Sequence, residues 1–211
     1  MKELEKYILA HISPEEDYLK ELDRETNLNT LRPRMLSGHL QGKILSMISS
    51  MVSPEAILEI GTFTGYSAIC LAKGLKPGGI IHTIELNDEL EHISKKYFEK
   101  SGLGKSIVQH IGDAVEIIPE LDCMFNLVFI DGNKREYPKY YELVFGKVPV
   151  GGYILADNTL WNDKVLDDPD PHDGQTIGIL AFNEMVGNDK RIEKVILPIR
   201  DGMTIIRKIS E

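Results

Sequence analysis

The chain has little cysteine, one tryptophan and no long apolar run, and each shortage excludes a class of protein. Only Cys70 and Cys123 occur among its 211 residues. They lie in separate apolar stretches, so they read as buried thiols of a reducing compartment, not as a disulfide framework. No stretch approaches the roughly 20 apolar residues of a membrane span. The charged opening Met1-Lys2-Glu3-Leu4-Glu5-Lys6 leads into no signal-peptide core. A cytoplasmic protein without a membrane partner is expected. A basic excess is also missing. With 24 Lys and Arg against 33 Asp and Glu, the net charge is −9 and the pI near 5.2, which disfavours nucleic acid and anionic bilayers as partners. Repeats, low-complexity tracts and linker-like shifts of composition are absent, so residues 1–211 are expected to form a single domain, with 1–52 as its helical cap.

What is present suits one core: 42% of residues are hydrophobic and 7% aromatic. The first fifty residues read as helices. One spans Glu3 to His11. A second opens at Ser13-Pro14-Glu15-Glu16, with Ser as N-cap and Pro at the first helical position. A third runs from Gly38 to Met51, after a proline-broken loop over Leu31–Gly38. From Pro54 the pattern changes to short apolar runs: Ala56–Ile60, Gly79–Glu85, Ser106–Ile111, Asn126–Asp131, Gly152–Asp157, Ile192–Leu197 and Met203–Lys208. Helical stretches such as Tyr66–Gly74, Asp88–Ser101 and Ala114–Leu121 separate the earlier runs. That alternation predicts an α/β fold: a doubly wound, mostly parallel sheet of seven strands. The last two runs flank Pro198-Ile199-Arg200-Asp201-Gly202, a hairpin-sized turn, so an antiparallel edge strand should finish the sheet.

The first strand runs into Glu59-Ile60-Gly61-Thr62-Phe63-Thr64-Gly65-Tyr66-Ser67, a glycine-bearing loop that opens a helix. Such a loop lets backbone approach a ligand and offers free N–H groups to an anionic one. Glu85 ends the second run at the spacing where a carboxylate accepts both ribose hydroxyls of a nucleoside. The loop is G-x-x-x-G, without the dinucleotide pattern G-x-G-x-x-G and without a Walker lysine. S-adenosylmethionine, which has no phosphate, fits it better, with Ser67 placed to serve the donor's carboxylate. Asp113 and Ala114 follow the third strand, where they either read the adenine edge or, for Asp113, cap the next helix.

Two further runs stop abruptly at aspartate: Phe129-Ile130-Asp131-Gly132-Asn133-Lys134 and Leu155-Ala156-Asp157-Asn158. On neighbouring parallel strands, Asp131, Asp157 and Asn158 would converge at the carboxyl ends, where open α/β sheets bind ligands. Three hard oxygen donors suit Mg²⁺, Mn²⁺ or Ca²⁺. The glycine loop, the run Phe129–Lys134 and above all Asp157-Asn158-Thr159-Leu160-Trp161-Asn162 resemble the cation-dependent class I O-methyltransferases of the caffeoyl-CoA and catechol O-methyltransferase group. The resemblance extends to Arg191-Ile192-Glu193 and Leu197–Gly202 and covers the chain from about Met35 onward.

The resemblance implies a Rossmann-like class I methyltransferase fold and methyl transfer from S-adenosylmethionine to one hydroxyl of a vicinal aromatic diol chelated by Mg²⁺. Matched by position, the metal ligands fall on Asp131, Asp157 and Asn158. The catalytic positions fall on Lys134, as general base or as fixed cation, and on Asp131. The cofactor-binding set becomes Met35, Glu59, Gly61, Thr62, Tyr66, Ser67, Glu85, Asp113, Ala114 and Asp131, with Met35, Leu36 and Ser37 closing over the donor. Family members are often dimers, so a homodimer is expected. The polar, acidic segment Trp161–Gln175 reads as a lid or recognition loop. Its carboxylates argue against a CoA thioester and for a small aromatic diol as acceptor. Trp161 could wall that acceptor or simply pack, and His172 suits a solvated loop. Two rivals stay open: a NAD-type oxidoreductase, which the glycine spacing disfavours, and a non-catalytic nucleoside-binding sensor, which the acidic pair and Lys134 disfavour.

Overall fold

The computed structural model describes residues 3–211. Met1 and Lys2 of the expected charged opening lie outside the described residues. The elements are α1 (Glu3–His11), α2 (Asp17–Asn29), α3 (Gly38–Val52), β1 (Ala56–Ile60), α4 (Tyr66–Ala72), β2 (Ile80–Glu85), α5 (Glu91–Lys100), β3 (Ile107–Ile111), α6 (Ala114–Glu120), β4 (Leu127–Ile130), α7 (Tyr137–Phe145), β5 (Tyr153–Asp157), α8 (Gly174–Asn188), β6 (Ile192–Leu197) and β7 (Met203–Lys208). All seven expected strands form, each within a residue or two of the apolar run that announced it.

The strands make one sheet in the order β3-β2-β1-β4-β5-β7-β6. β1 to β5 are parallel, and β7 runs antiparallel to both β5 and β6. The expected antiparallel strand is therefore β7, which is joined to β6 by the turn at Pro198–Gly202. Strand order reverses between β1 and β4, which defines the crevice where such sheets take ligands.

Helices cover both faces, and so the central strands are apolar on both sides, as buried parallel strands must be. All four residues of β4 are fully buried. Val128 and Ile130 meet α7 and α8 through Tyr137, Tyr141, Ile179 and Phe182. Leu127 and Phe129 face the opposite layer, where Leu22, Leu45, Ile69 and Phe98 come from α2, α3, α4 and α5. Each such side chain contributes about 1.5–3 kcal/mol relative to exposure. The cap therefore belongs to the same core as the sheet. Polar ties add to it: Thr26 bonds Thr64 at 2.9 Å, Glu16 pairs with Lys73 at 2.6 Å, and the Tyr66 hydroxyl donates to Glu15.

Those ties explain the late start of α2; α5 also starts late, at Glu91, with Asp88–Leu90 forming a 3-10 turn before it. The Ser13-Pro14 signal predicts a helix from Pro14, yet α2 begins at Asp17 after an extended Glu16. Ser13 gives its carbonyl to His39, Glu15 takes the Tyr66 hydroxyl and Glu16 takes Lys73, so the segment is spent on docking the cap. The acidic segment after β5 is irregular, with one 3-10 turn at Lys164–Leu166, and ends where Asp173 caps α8. Lys164 pairs with Asp173 at 2.7 Å and spans the loop. His172 is exposed, as a solvated loop residue would be. Cys70 and Cys123 are both free, the former buried with its thiol pushed up to about 12 by desolvation. No helix among the described residues is long and apolar enough to cross a membrane.

α8 also sets the position of the turn that carries Lys134. A Cβ added at Gly178 would lie 2.3 Å from the Lys134 carbonyl and 2.7 Å from the Arg135 Cα, both backbone atoms with little room to yield. Gly178→Ala should therefore destabilise the fold by roughly 1–3 kcal/mol through overpacking, despite the better helix propensity of Ala. Urea unfolding of the two proteins checks this, and an alanine variant of equal or greater stability would refute the tight contact.

Candidate active site

Register decides which side chains meet. Ile60 pairs with Ile84 on one side and Ile130 on the other, and Ile130 pairs with Ala156. The next residue along each strand is Gly61, Glu85, Asp131 and Asp157, so four runs far apart in sequence end in one row. The Asp131 N–H donates to the Ile60 carbonyl and the Gly61 N–H to the Ile84 carbonyl, each within 2.9 Å. Gly61 has φ +104, and a Cβ there would sit 2.4 Å from the Asp131 carbonyl. Glycine at this position is what lets the two loops touch.

Over this row lies a shallow, open cleft lined by Met35, Leu36, Gly61, Thr62, Tyr66 and Ser67, with Ser37, Phe63 and Asp131 completing its wall. Six residues of the expected donor set are thereby brought together. Glu85 stands at its rim, accepting the Phe63 N–H at 2.6 Å and the Asn87 N–H at 3.0 Å. Both carboxylate oxygens keep a lone pair for a further donor. Glu59 lies beneath the loop, fully buried, taking the Thr83 hydroxyl at 2.5 Å while Thr83 also meets Thr62. Its Oε1 makes no well-formed hydrogen bond, though the Ser67 hydroxyl stands close to the carboxyl. Burial pushes the Glu59 carboxyl up to about 8; the charges of Asp131 and Glu85 act the same way, against the Thr83 and Ser67 hydroxyls. A buried acid with a free oxygen fits a cationic or N–H-bearing ligand group. Asp113, for which two readings stood open, caps α6 by accepting the Val115 N–H at 2.8 Å, with Ala114 buried behind it.

The acidic half adjoins. Lys134, 8% exposed on a 3-10 turn, donates to Asp131 Oδ1 at 2.7 Å and to the Gly132 carbonyl at 3.1 Å. Asp157, 5% exposed, accepts the Asn158 N–H on Oδ1 at 2.9 Å and the Gln41 amide on Oδ2 at 2.7 Å. Burial first, and then the charge of Asp131, push the Asp157 carboxyl up to about 6, while Gln41, Lys134 and the Asn158 N–H pull it down. Asn158 has φ +59, and Trp161, Asn162 and Asp163 follow with φ between +48 and +62. Asn and Asp tolerate that region and Trp does so at a cost, so the chain leaves β5 along a strained path of the kind that clusters at functional sites. Trp161 is half-buried and packs on the core beside Val165. Among the described residues no three His, Cys, Asp or Glu groups converge as a metal cage. The oxygens available here are two carboxylates and the Asn158 amide.

Three residues of the site were not foreseen. Tyr137 donates to the carbonyls of Ile130 and Asp157 at 3.2 and 3.0 Å, locking the ends of β4 and β5 together, and lies under the Lys134 ammonium at 5.0 Å. Gln41 comes from α3 and Arg200 from the β6–β7 turn. For Tyr137 the signal was its place three residues past Lys134, at the first position of α7. Gln41 and Arg200 carried none, because only the tertiary fold brings them to Asp157.

Comparison with known proteins agrees with this geometry. Residues 10–209 match the model of the O-methyltransferase family. This chain belongs to that family. Caffeoyl-CoA O-methyltransferase from Stellaria longipes is 30% identical over 99% of this chain and 91% of its own length; caffeoyl-CoA O-methyltransferase 1 from Nicotiana tabacum is 32% identical over 98% and 92%. Among solved structures, the O-methyltransferase TomG from Streptomyces achromogenes, in complex with SAM, superposes with a TM-score of 0.91 at 28% identity over the whole of both chains. The O-methyltransferase from Bacillus cereus, in complex with SAH, gives 0.90 at 26% over 97% of each. Membership makes the chain a SAM-dependent O-methyltransferase with the Rossmann-like class I fold.

Glu59 generates a pH prediction. Its folded carboxyl titrates near 8, far above an unfolded glutamate at about 4.3, so the folded state binds the extra proton and stability falls as pH rises between those values. Asp157 contributes the same sign only up to about 6. Between pH 6 and 8 the protein should therefore lose up to about 1.4 kcal/mol per pH unit, and Glu59→Gln should remove that slope. Urea midpoints across this range decide it, and parallel profiles for the two proteins would refute a protonated Glu59.

Proposed function

We propose that the chain transfers the methyl group of S-adenosylmethionine to one hydroxyl of a small catechol-like vicinal diol, with Mg²⁺, or Mn²⁺ or Ca²⁺, held by Asp131, Asp157 and Asn158. The observation that carries the reading is the pair of carboxylates at adjoining strand ends, beside Lys134 and next to the cleft over Gly61. The donor set fits a hard cation. Burial and mutual charge already raise Asp157, a conflict a cation would relieve. Among the described residues the Asn158 amide is engaged by no side-chain hydrogen bond, which leaves its oxygen free. When bound, the cation favours the phenolate form of a chelating diol and the sulfonium donor supplies an electrophilic methyl group.

The chain's own groups do the rest. Glu85 holds the ribose hydroxyls with the second lone pairs of its two oxygens. Glu59, Thr62 and Ser67 face the amino-acid end of the donor, with the free Oε1 of Glu59 taking an N–H. Met35 and Tyr66 close the cleft, and Asp113 with Ala114 borders the base. Of the two roles open to Lys134, the fixed cation is the better supported. Its ammonium is held as a donor to Asp131 and Gly132, with one N–H left for the acceptor oxygen. Held in a nearly dry site, that charge stabilises developing phenolate more strongly than it would in water.

The acceptor class follows from the loop after β5. Asp163, Asp167, Asp168 and Asp170 stand there, and its Lys164 is paired with Asp173. Such a rim repels the phosphates of a CoA thioester and leaves a neutral or cationic diol as the fitting acceptor. A homodimer belongs to the same reading, since α1 has no buried residue and exposes Leu4 and Tyr7.

With labelled donor, transfer should occur to catechols but not to matched monophenols. It should be lost in EDTA, return with Mg²⁺, and fall at least about 100-fold in Asp157→Ala. Metal-independent transfer would sink the chelation reading. Donor binding without transfer to any acceptor would favour the sensor. In a second assay, the neutral methyl ester of caffeate should be a better acceptor than the CoA thioester, by roughly 10-fold or more in kcat/KM; the reverse order would overturn the assignment of the acidic loop.

A further inference from the structure

Arg200 occupies a position that is costly for it. Its φ is +52, in the left-handed region that favours glycine, within the turn joining β6 and β7. What it does there is specific. One terminal nitrogen, Nη1, donates to the Leu36 carbonyl at 3.1 Å, to the Ser37 carbonyl, and to the Gln41 Oε1 at 2.6 Å. Leu36 and Ser37 wall the cleft over Gly61. Gln41 is 1% exposed, and its other end donates to Asp157 Oδ2 at 2.7 Å.

The chemistry fixes the direction of this chain of bonds. A guanidinium can only donate, so the Gln41 oxygen must face Arg200 and its NH₂ must face Asp157. Without Arg200 the amide is free to turn and set its oxygen against a carboxylate. The second Asp157 oxygen is occupied by the Asn158 N–H, so the amide bond helps decide which way the carboxylate plane faces. One end of the chain of bonds closes the wall of the cleft, and the other orients the acid at the end of β5.

We propose that Arg200 and Gln41 form a clasp that couples closure of the donor cleft to the seating of Asp157, making both of them positioning residues. The proposal rests on the methyltransfer reading above. It departs from an ordinary structural role in one respect: the two residues divide the work unequally. Arg200 serves both halves of the site. Gln41 serves Asp157 alone, since Leu36 and Ser37 stay clasped without it.

The test uses the whole protein and two probes that need no turnover. S-adenosylhomocysteine affinity is read by calorimetry, and Mg²⁺ alone is titrated against the fluorescence of Trp161, the single tryptophan, which lies in the loop leaving Asp157. Arg200→Gly suits the left-handed backbone and removes the guanidinium; it should weaken S-adenosylhomocysteine and Mg²⁺ by about 10-fold each, the worth of a charged hydrogen bond. Gln41→Ala should weaken Mg²⁺ by a similar factor and leave S-adenosylhomocysteine within about twofold. The double variant should bind Mg²⁺ no worse than Arg200→Gly, because both break one path. Arg200→Lys should recover part of both affinities, and thermal melts report that each variant is folded. S-adenosylhomocysteine affinity unchanged in Arg200→Gly, or Mg²⁺ effects that simply add in the double variant, would overturn the clasp. Wild-type protein that binds S-adenosylhomocysteine but does not respond to Mg²⁺ would overturn the cation reading instead, and the Arg200→Gly affinity then supports or overturns the clasp by itself.

Discussion

Acidic groups crowded at one end of a dry sheet are the constraint on which the rest of the molecule depends. Parallel pairing of β1, β2, β4 and β5 in one register aligns Gly61, Glu85, Asp131 and Asp157, and Glu59 lies two residues back on β1. Water is largely excluded from Glu59 and Asp157, so their charges cannot be screened by solvent. The fold answers with donors: Lys134 to Asp131, Gln41 and a backbone N–H to Asp157, and a threonine hydroxyl to Glu59. It does not answer completely. Glu59 keeps an oxygen without a well-formed hydrogen bond, and both buried acids titrate high. A protein selected only for stability would gain by replacing such groups with packed apolar ones. Retaining them costs stability, and the return is a site with local affinity for positive charge, which a sulfonium donor and a divalent cation both carry.

This constraint explains why the cap cannot be separated from the sheet. α2 and α3 pack on the same layer as α4 and α5; Thr26 of α2 bonds Thr64 in the glycine loop, Glu15 just before α2 takes the Tyr66 hydroxyl, and Gln41 of α3 donates to Asp157 at the end of β5. The tip of the cap, at Met35–Ser37, forms one wall of the cleft. Removing the cap would expose apolar surface and would also strip Asp157 of a donor. Two otherwise distinct roles, completing the core and completing the site, fall on the same fifty residues.

How much of this was legible in the sequence depends on the range of the interaction. The central strands were readable because a buried parallel strand must be apolar on both faces, and runs such as Leu127–Ile130 and Ile154–Ala156 show that without context; β6 and β7 were marked instead by the hairpin-sized turn between them. The row of site residues was readable because register does the remaining work: once two parallel strands end in aspartate, their ends meet. The start of α2 was not readable. Its capping signal at Ser13-Pro14 is local, and it lost to contacts with Tyr66, Lys73 and His39, which lie far along the chain. Gln41 and Arg200 were hidden for the same reason more strongly. They are separated by 159 residues, and the amide of Gln41 meets a carboxylate 116 residues away. Nothing in the residues around either one predicts a bond that only the finished fold creates.

The left-handed backbone after β5 ties these scales together. Asn158, Trp161, Asn162 and Asp163 all take positive φ, and opposite them Arg200 does the same. The two strained segments are in contact: Thr159 and Leu160 donate their N–H groups to the carbonyls of Gly202 and Asp201, and the Asn162 N–H reaches the Asp201 side chain. A Cβ at Gly202 would lie 2.8 Å from the Leu160 nitrogen, so the turn can approach only as glycine. Strain of this kind persists only where surrounding structure over-determines it. Here the β6–β7 hairpin supplies that over-determination, and so the antiparallel strand is more than an ornament on a parallel sheet. It braces the loop that carries Asn158, presents Arg200 to the cap, and through Gln41 reaches Asp157 from the other side. The hairpin is thus joined to the acidic pair along two independent paths, one through backbone and one through side chains.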